Sequence, residues 1–194
     1  AACILQANLG AKNAAAYDLQ AACSGFVYGL ITAASYISSG IYKKVLVVGA
    51  EILSRRVNWN DRGTCILFGD GAGAAVVSEV PGGYGIKGMD MGADGTGGPA
   101  LCIPAGGTAV VANDQRIEEG LTFIHMDGSE VYKFAVKTMG RTVLKSLERA
   151  GMELNELDYF IPHQANIRII DSAAKRLHLP MEKVFVNLHK YGNT

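Results

Sequence analysis

The sequence lacks an excess of charge of either sign, since 18 Lys and Arg residues balance 18 Asp and Glu residues. It has no Lys/Arg run longer than two residues and so lacks the basic footprint of a nucleic-acid-binding protein. The long apolar stretch at 26–37 is too short to span a bilayer and is interrupted by Gly29, Thr32 and Ser35. No secretory signal is visible. We therefore expect a cytoplasmic protein that binds neither nucleic acid nor a membrane.

Cysteine is scarce and follows no metal-binding pattern. The four residues, Cys3, Cys23, Cys65 and Cys102, form no CxxC pair, and few histidines lie near them. We expect no metal site. Scattered cysteines of this kind are typical of reduced thiols in a reducing compartment. One of these thiols is then available for chemistry.

The composition is that of a globular protein with a large core, 49% apolar and 19% charged. Apolar runs and Gly or Asp punctuation predict an α/β fold. The predicted strands are 15–19, 44–50, 74–80 (after a Gly-rich turn, FGDGAGA), 157–162 and 184–188. Four helices are predicted. The first spans 1–9, and the second, at 21–38, is apolar on all sides and hence expected to be buried. The third is capped by Asp127 or Ser129 and ends at Ala150, and the fourth spans 166–177, with Ile167, Ile170, Ala174 and Leu177 near helical spacing.

Two segments share one order of elements. YDLQAACSGF and YFIPHQANIRII each predict a strand, then a chemically reactive residue, then a helix, and an apolar strand follows each. This order suggests two similar α/β halves. Ligands of open α/β sheets bind beyond the carboxyl ends of the strands, where Cys23 and His163 both fall.

Cys23 lies where a strand gives way to an apolar helix. The unpaired N–H groups and the dipole of a helix N-terminus favour a thiolate, which accepts acyl groups from thioesters. The surrounding small residues, Ala21, Ala22, Ser24 and Gly25, leave room for a substrate. Taken alone, the local sequence favours an inert, buried cysteine over a reactive one.

Two further polar residues have both a functional and a structural interpretation. His163 follows Pro162 at a strand end, where it could donate a hydrogen bond or exchange protons near neutral pH, or serve only structurally. Asn193, in YGNT, could be an ordinary turn residue, because Asn tolerates left-handed backbone geometry. The Gly-rich FGDGAG lacks the GK[ST] ending of a phosphate-binding loop.

Four motifs in order, DLQAACSGFVYGL, DRGT with FGDGAGAAVV, PHQANIRII and YGNT, give the sequence a resemblance to the β-ketoacyl-acyl carrier protein synthase III family. The resemblance implies a thiolase-like fold with two similar halves in five αβαβα layers, here incomplete at both ends. It implies that 1–80 is the second part of the N-terminal half, 81–125 a Gly-rich connection and 126–194 the first part of the C-terminal half. The missing C-terminal part would supply a second oxyanion-hole N–H.

The resemblance also assigns roles to residues. It implies a catalytic Cys23, His163 and Asn193, with Asn193 separating this family from elongating synthases that use a second His. It further implies binding of coenzyme A, pantetheine or the acyl chain, and docking of the acidic carrier protein. The substrate-binding residues would be Arg62, Phe68, Gly128, Ala165 and Asn166, and the docking residues Lys133 and Arg168. Tyr132 stands where the family often has Phe.

The implied activity is condensation. Cys23 would accept an acyl group, typically acetyl, from acyl-CoA, and malonyl-acyl carrier protein would then lose CO₂ and attack it to start a fatty-acid chain. The resemblance implies a homodimer and no cofactor, with coenzyme A thioester as substrate. Two alternatives stay open: a related enzyme of secondary metabolism that uses other acyl-CoAs, and a non-catalytic paralogue that binds the carrier protein.

Overall fold

The computed structural model describes residues 1–194 and is mixed α/β. Its helices and strands are α1 (Ala2–Asn8), α2 (Gly25–Ser38), β1 (Lys44–Ile52), β2 (Asp70–Ser78), β3 (Leu101–Cys102), α3 (Asp114–Glu118), β4 (His125–Met126), α4 (Gly128–Ala150), α5 (Ile167–Arg176) and α6 (Leu188–Tyr191). β1 pairs with β2, and β3 pairs antiparallel with β4. None of the helices is long and apolar enough to cross a membrane.

The chain divides into two compact units. The first unit comprises residues 1–49 and 74–81, and the second comprises 50–73 and 82–194. The boundaries predicted from the sequence, at residues 80 and 125, refer to the halves of the family fold and stay a prediction.

The first unit holds α1 and α2 together with the paired ends of β1 and β2. Gly29 lets α2 approach β1, because a Cβ there would lie 2.7 Å from Val47 Cγ1. Ala33 is the one buried residue of α2, while Phe26 and Val27 are more than a third exposed. The prediction that this helix is buried on all sides is therefore wrong for this chain. The predicted strand at 15–19 is also wrong, since that segment has no regular structure and no strand pairs with it.

The second unit contains a core built around α5. Phe160, Ile170, Ala174, Leu177 and Val184 form this core, and α4 contributes partly buried side chains to it. The sequence predicted both helices, α4 from a cap at Asp127 or Ser129 with an end at Ala150, and α5 from apolar residues at helical spacing. One member of the predicted apolar face is wrong: Ile167 is 46% exposed in the first turn of α5.

Start and stop signals define α4 closely. The Asp127 carboxylate accepts the N–H groups of Ser129 and Glu130 at 3.0 and 3.1 Å, so Asp127 is the cap, rather than Ser129. Gly151 ends the helix with φ of 66°, a left-handed conformation that suits glycine.

The strands predicted at 157–162 and 184–188 are not formed, and only one parallel bridge, between Phe160 and Val184, pairs these two segments. Phe160 N–H donates to Lys183 O, and Phe185 N–H donates to Phe160 O, both at 2.8 Å. The pairing stops there because a 3₁₀ turn precedes Val184 and α6 begins at Leu188. This single bridge lies three residues before His163 in the chain.

Candidate functional site

Cys23 sits in a strained turn at the start of α2. Ala22–Ser24 form a 3₁₀ turn that leads directly into the helix, and Ala22 has φ of 45°. A non-glycine residue in this left-handed region costs about 1–2 kcal/mol, and such strain is typically found at functional sites. Cys23 is exposed. The turn therefore presents the residue outward, at the N-terminal end of a helix.

The N-terminus of α2 carries no side-chain cap. Ser24 occupies the cap position, yet its hydroxyl makes no capping hydrogen bond, and the preceding 3₁₀ turn also lacks one. The first N–H groups of a helix have no partner within the helix. No side chain therefore caps the backbone beside Cys23. The N–H groups of Ser24 and Gly25 donate to the Ala21 and Ala22 carbonyl oxygens, and the positive end of the helix dipole favours a thiolate at this position.

His163 is held differently, in a partly buried position. Its Nε2 atom is buried and has no hydrogen-bond partner, the one such side-chain atom in the chain. Burial lowers the pKa of His163 below the usual 6.5, because removal from water disfavours the charged imidazolium. The side chain is thus a neutral imidazole at neutral pH, with one ring nitrogen whose hydrogen bond is not made within the protein. Such a group is suited to bind a polar substrate atom.

Asn193 lies in a turn that rests on the Gly-rich motif. Gly192, with φ of 75°, ends α6, and the Asn193 carbonyl oxygen accepts the Gly69 N–H at 2.8 Å. A Cβ on Gly71 would lie 2.7 Å from Thr194 Cβ. The motif is therefore a glycine surface on which YGNT packs, not a phosphate cradle. Most of it belongs to β2, which begins at Asp70, so the predicted turn there is wrong.

His163 and Asn193 belong to the second unit, and Cys23 belongs to the first. The convergence of all three at one site stays a prediction. No group of three or more His, Cys, Asp or Glu side chains could hold a metal ion.

The residues predicted to bind substrate lie at helix starts and loops of the second unit. Arg62 is exposed in a turn where the Asp61 carboxylate accepts the Gly63 N–H at 2.9 Å and the Thr64 hydroxyl at 2.6 Å. These hydrogen bonds lower the pKa of Asp61 and stiffen the turn beside Arg62. A cleft near this turn, lined by residues including Asp61 and His125, contains none of the predicted substrate-binding residues.

Three of the other predicted residues sit at helix N-termini, and Phe68 is half-buried just before β2. Gly128 is the first residue of α4. Ala165 and Asn166 precede α5, and the Asn166 side-chain oxygen caps that helix by accepting the Arg168 N–H at 2.8 Å. Asn166 therefore has a structural role that its sequence position alone did not indicate.

The predicted docking residues lie on two helices that pack together. Lys133 of α4 is exposed and forms an ion pair with Glu130 at 2.7 Å, which raises its pKa. Arg168 is exposed in the first turn of α5. Tyr132 hydrogen-bonds through its hydroxyl to Ser172 Oγ at 2.7 Å, so this tyrosine joins α4 to α5 beside both cations.

Three residues near the site were not predicted: Gly69, Gly71 and Gln164. Each contacts or hydrogen-bonds to a segment distant in sequence, and Gln164 reaches residues 21 to 24 positions away. The PHQAN and FGDGAG motifs marked their positions, but no local pattern showed what they contact.

Comparison with known proteins assigns these motifs. Residues 17–95 match the family model 3-oxoacyl-[acyl-carrier-protein (ACP)] synthase III, and residues 147–194 match the model of the C-terminal part of the same enzyme. The β-ketoacyl-[acyl-carrier-protein] synthase III of Caldanaerobacter subterraneus is 56% identical over 193 residues, which cover 100% of this chain and 58% of that protein. The chain thus spans little more than half the length of the curated relatives it matches.

Solved structures agree. The β-ketoacyl-[acyl carrier protein] synthase III of Thermus thermophilus is 46% identical with a TM-score of 0.88, over 100% of this chain and 59% of that one. The priming β-ketosynthase of the R1128 polyketide pathway is 38% identical with a TM-score of 0.85, over 99% of this chain and 57% of that one. These similarities confirm the predicted thiolase-like fold.

Proposed function

The chain belongs to the 3-oxoacyl-[acyl-carrier-protein] synthase III family, and from this premise we propose that it carries the catalytic residues of a condensing acyltransferase. Cys23 attacks the thioester carbonyl of an acyl-CoA, typically acetyl-CoA. The new bond joins sulfur to the acyl carbon, and coenzyme A leaves as its thiol. The exposed Cys23 in its strained turn, before an uncapped helix, supports this step.

In the second half reaction, malonyl-acyl carrier protein loses CO₂ and leaves an enolate. His163 Nε2 and the Asn193 side chain donate hydrogen bonds to the thioester oxygen on which the negative charge develops. The enolate carbon then attacks the acyl carbon on Cys23, and the Cys23 thiolate leaves, giving β-ketoacyl-acyl carrier protein. One preorganised donor of this kind contributes about 3–4 kcal/mol to the transition state.

The observation that carries this proposal is the buried Nε2 of His163, which has no partner in the protein. Burial keeps the ring neutral, and a neutral imidazole donates from Nε2 in the tautomer that carries its proton on that nitrogen. A purely structural histidine at this depth would be expected to have both ring nitrogens satisfied.

Substrates approach from the two helix N-termini and the exposed turn of the second unit. Arg62 binds the nucleotide end of coenzyme A, and Phe68 shapes the acyl pocket. Gly128, Ala165 and Asn166 line the pantetheine tunnel. The acidic carrier protein docks on Lys133 and Arg168, and their charge steers its approach. The enzyme acts in the cytoplasm as a homodimer, and these two half reactions use cysteine, histidine and asparagine without a cofactor.

Mass spectrometry of the full-length protein mixed with acetyl-CoA tests the first half reaction. We expect an acetyl adduct on Cys23 that is absent from Cys23→Ser. Cys3→Ser is the matched control, because Cys3 is another exposed cysteine of the same unit. An adduct that persists in Cys23→Ser, or none in the unaltered protein, would contradict the proposal.

A second candidate is a priming synthase of secondary metabolism, favoured by the similarity to the R1128 polyketide ketosynthase. It uses the same chemistry with a different acyl group. Competition between acetyl-CoA and branched, aromatic or longer acyl-CoAs for Cys23 separates the two. A non-catalytic paralogue would bind the carrier protein and release no CO₂ from its malonyl form.

A further inference from the structure

Gln164 makes four hydrogen bonds from a half-buried position. Its Nε2 donates to Pro162 O at 3.0 Å and to Phe185 O at 3.1 Å. Its Oε1 accepts the N–H groups of Asn187 and Leu188 at 2.9 and 3.2 Å. A glutamine side chain offers two donors and two lone pairs, so its hydrogen-bonding capacity is used in full.

These four bonds connect the segments that carry His163 and Asn193. Pro162 directly precedes His163. Asn187 and Leu188 are the cap and the first residue of α6, and α6 leads through Gly192 to Asn193. Because α6 has only four residues, a shift at its start is transmitted to Asn193 with little to absorb it.

Asn193 is then fixed from two sides. The Gln164 oxygen holds the start of α6, and the Gly69 N–H holds the Asn193 carbonyl oxygen at 2.8 Å. The chain at His163 depends on the same glutamine. Nε2 of the histidine ring is buried and makes no hydrogen bond within the protein, so no bond from this atom holds the ring in place. The glutamine thus sets the starting points of both donor segments.

We infer that Gln164 is a positioning residue that sets the placement of His163 relative to Asn193 for stabilising the enolate. This inference rests on the proposed function. A misplacement of about 1 Å can cost on the order of 100-fold in rate, so loss of this anchor should slow the step that needs both donors at once. Acyl transfer to Cys23, in the other unit, does not use that pair.

The test uses Gln164→Met and Gln164→Glu in the full-length protein. Methionine has similar length but makes none of the four hydrogen bonds. Glutamate keeps the acceptor toward α6, but when ionised it cannot donate to Pro162 O and Phe185 O. Gln115→Met is the matched control, because Gln115 is exposed on α3 and bonds only to Glu119, at 2.8 Å.

Two half reactions are measured: CO₂ release from malonyl-acyl carrier protein and acetyl loading on Cys23. We expect Gln164→Met to slow CO₂ release by about 10- to 100-fold and to change loading by less than about threefold. Gln164→Glu should recover toward the unaltered protein as the pH falls from about 8 toward the pKa of the new carboxyl, which is about 4.3 when unperturbed and is raised here by the two facing carbonyl oxygens, because a protonated carboxyl regains one donor. Gln115→Met should leave both rates unchanged.

The outcomes separate the two ideas. If the unaltered protein releases no CO₂, the proposed function fails. If it does, the inference is overturned by equal loss of both rates in Gln164→Met, by no loss, or by a flat pH response of Gln164→Glu relative to the unaltered protein. Should Gln164→Met not fold, as judged by circular dichroism, the pH response of Gln164→Glu decides, because it follows one folded variant across pH against the unaltered protein.

Discussion

The segment around Cys23 and the segment from Phe160 to Asn193 hold their reactive groups in opposite ways. Cys23 is exposed, follows a residue in the left-handed region and precedes a helix without a side-chain cap. His163 is partly buried and follows a backbone bridge, and Gln164 bonds the chain around it to α6. Next to it, α5 starts with a capping asparagine and contributes the fully buried Ile170 to the core.

The contrast matches what each group has to do in the proposed reaction. A nucleophile must be reached by a large thioester, so it is presented on a turn with small neighbours. A pair of hydrogen-bond donors stabilises a developing charge only if both are in place beforehand, because reorganisation during the reaction would offset the gain. Four substitution and titration experiments can break or sharpen this comparison.

The largest effect is expected from His163→Ala. Removing one preorganised donor should slow CO₂ release from malonyl-acyl carrier protein by about 100- to 1,000-fold. Acetyl loading on Cys23, followed by mass spectrometry, should change by less than about threefold, because loading does not form the enolate. His125→Ala is the control, since His125 is exposed on β4. Equal loss in both half reactions would remove the proposed division between the segments.

The next effect concerns the surface on which Asn193 rests. Gly71→Ala places a Cβ 2.7 Å from Thr194 Cβ and 2.9 Å from its Oγ1, so the YGNT turn must move. Overpacking of this kind costs about 1–3 kcal/mol in the free energy of unfolding, and CO₂ release should fall about tenfold. Gly73→Ala is the matched control: it lies two residues along β2 and meets nothing within 4 Å.

Urea unfolding and the two half-reaction rates measure both variants. If Gly71→Ala and Gly73→Ala behave alike, the close approach at Gly71 has no consequence for Asn193, and the turn does not depend on the glycine surface.

The sequence predicted the local features of the second unit well. The α4 helix followed from a cap at Asp127 or Ser129 and an end at Ala150, and α5 followed from apolar residues at helical spacing. Prediction from the sequence failed where the secondary structure of a segment depends on residues distant in the chain. The 15–19 run is apolar enough for a strand, yet no strand of this chain pairs with it. At 184–188 the predicted strand gives way to α6, whose start is bonded by Gln164.

The candidate site divides in the same way. Cys23, His163 and Asn193 were predicted because the family motifs carry them, while their local sequences alone left inert alternatives open. Gln164 and Gly71 were missed because their contacts are not periodic. The Gln164 side chain accepts a hydrogen bond from a residue 24 positions away, and Gly71 leaves room for Thr194. Neither contact can be inferred from the residues next to Gln164 or Gly71 in the sequence.

A smaller effect compares the two kinds of helix start. Asp127→Ala removes the carboxylate that accepts two N–H groups of α4, and it should lower the free energy of unfolding by about 1 kcal/mol. Ser24→Ala, at the start of α2, should cost much less, because that hydroxyl makes no capping bond. Asp127→Asn should restore most of the stability, since Asn also caps well. A cost for Ser24→Ala as large as that for Asp127→Ala would mean that α2 is capped after all.

The smallest effect is a pH dependence of stability that arises from His163. Burial lowers the pKa of this residue in the folded protein below the 6.5 of an exposed histidine. As the pH falls below 6.5, the unfolded chain therefore takes up a proton at this position before the folded one does, so the free energy of unfolding declines until the folded pKa is passed. Well above pH 6.5 the histidine is neutral in both the folded and the unfolded state, so it contributes no pH dependence to the free energy of unfolding. His163→Asn should lose this decline, and the difference between the two urea-unfolding series isolates it from other groups. A difference of opposite sign, with His163 stabilising the protein as the pH falls, would mean that the imidazolium is favoured in the folded state, and His163 would then be no neutral donor.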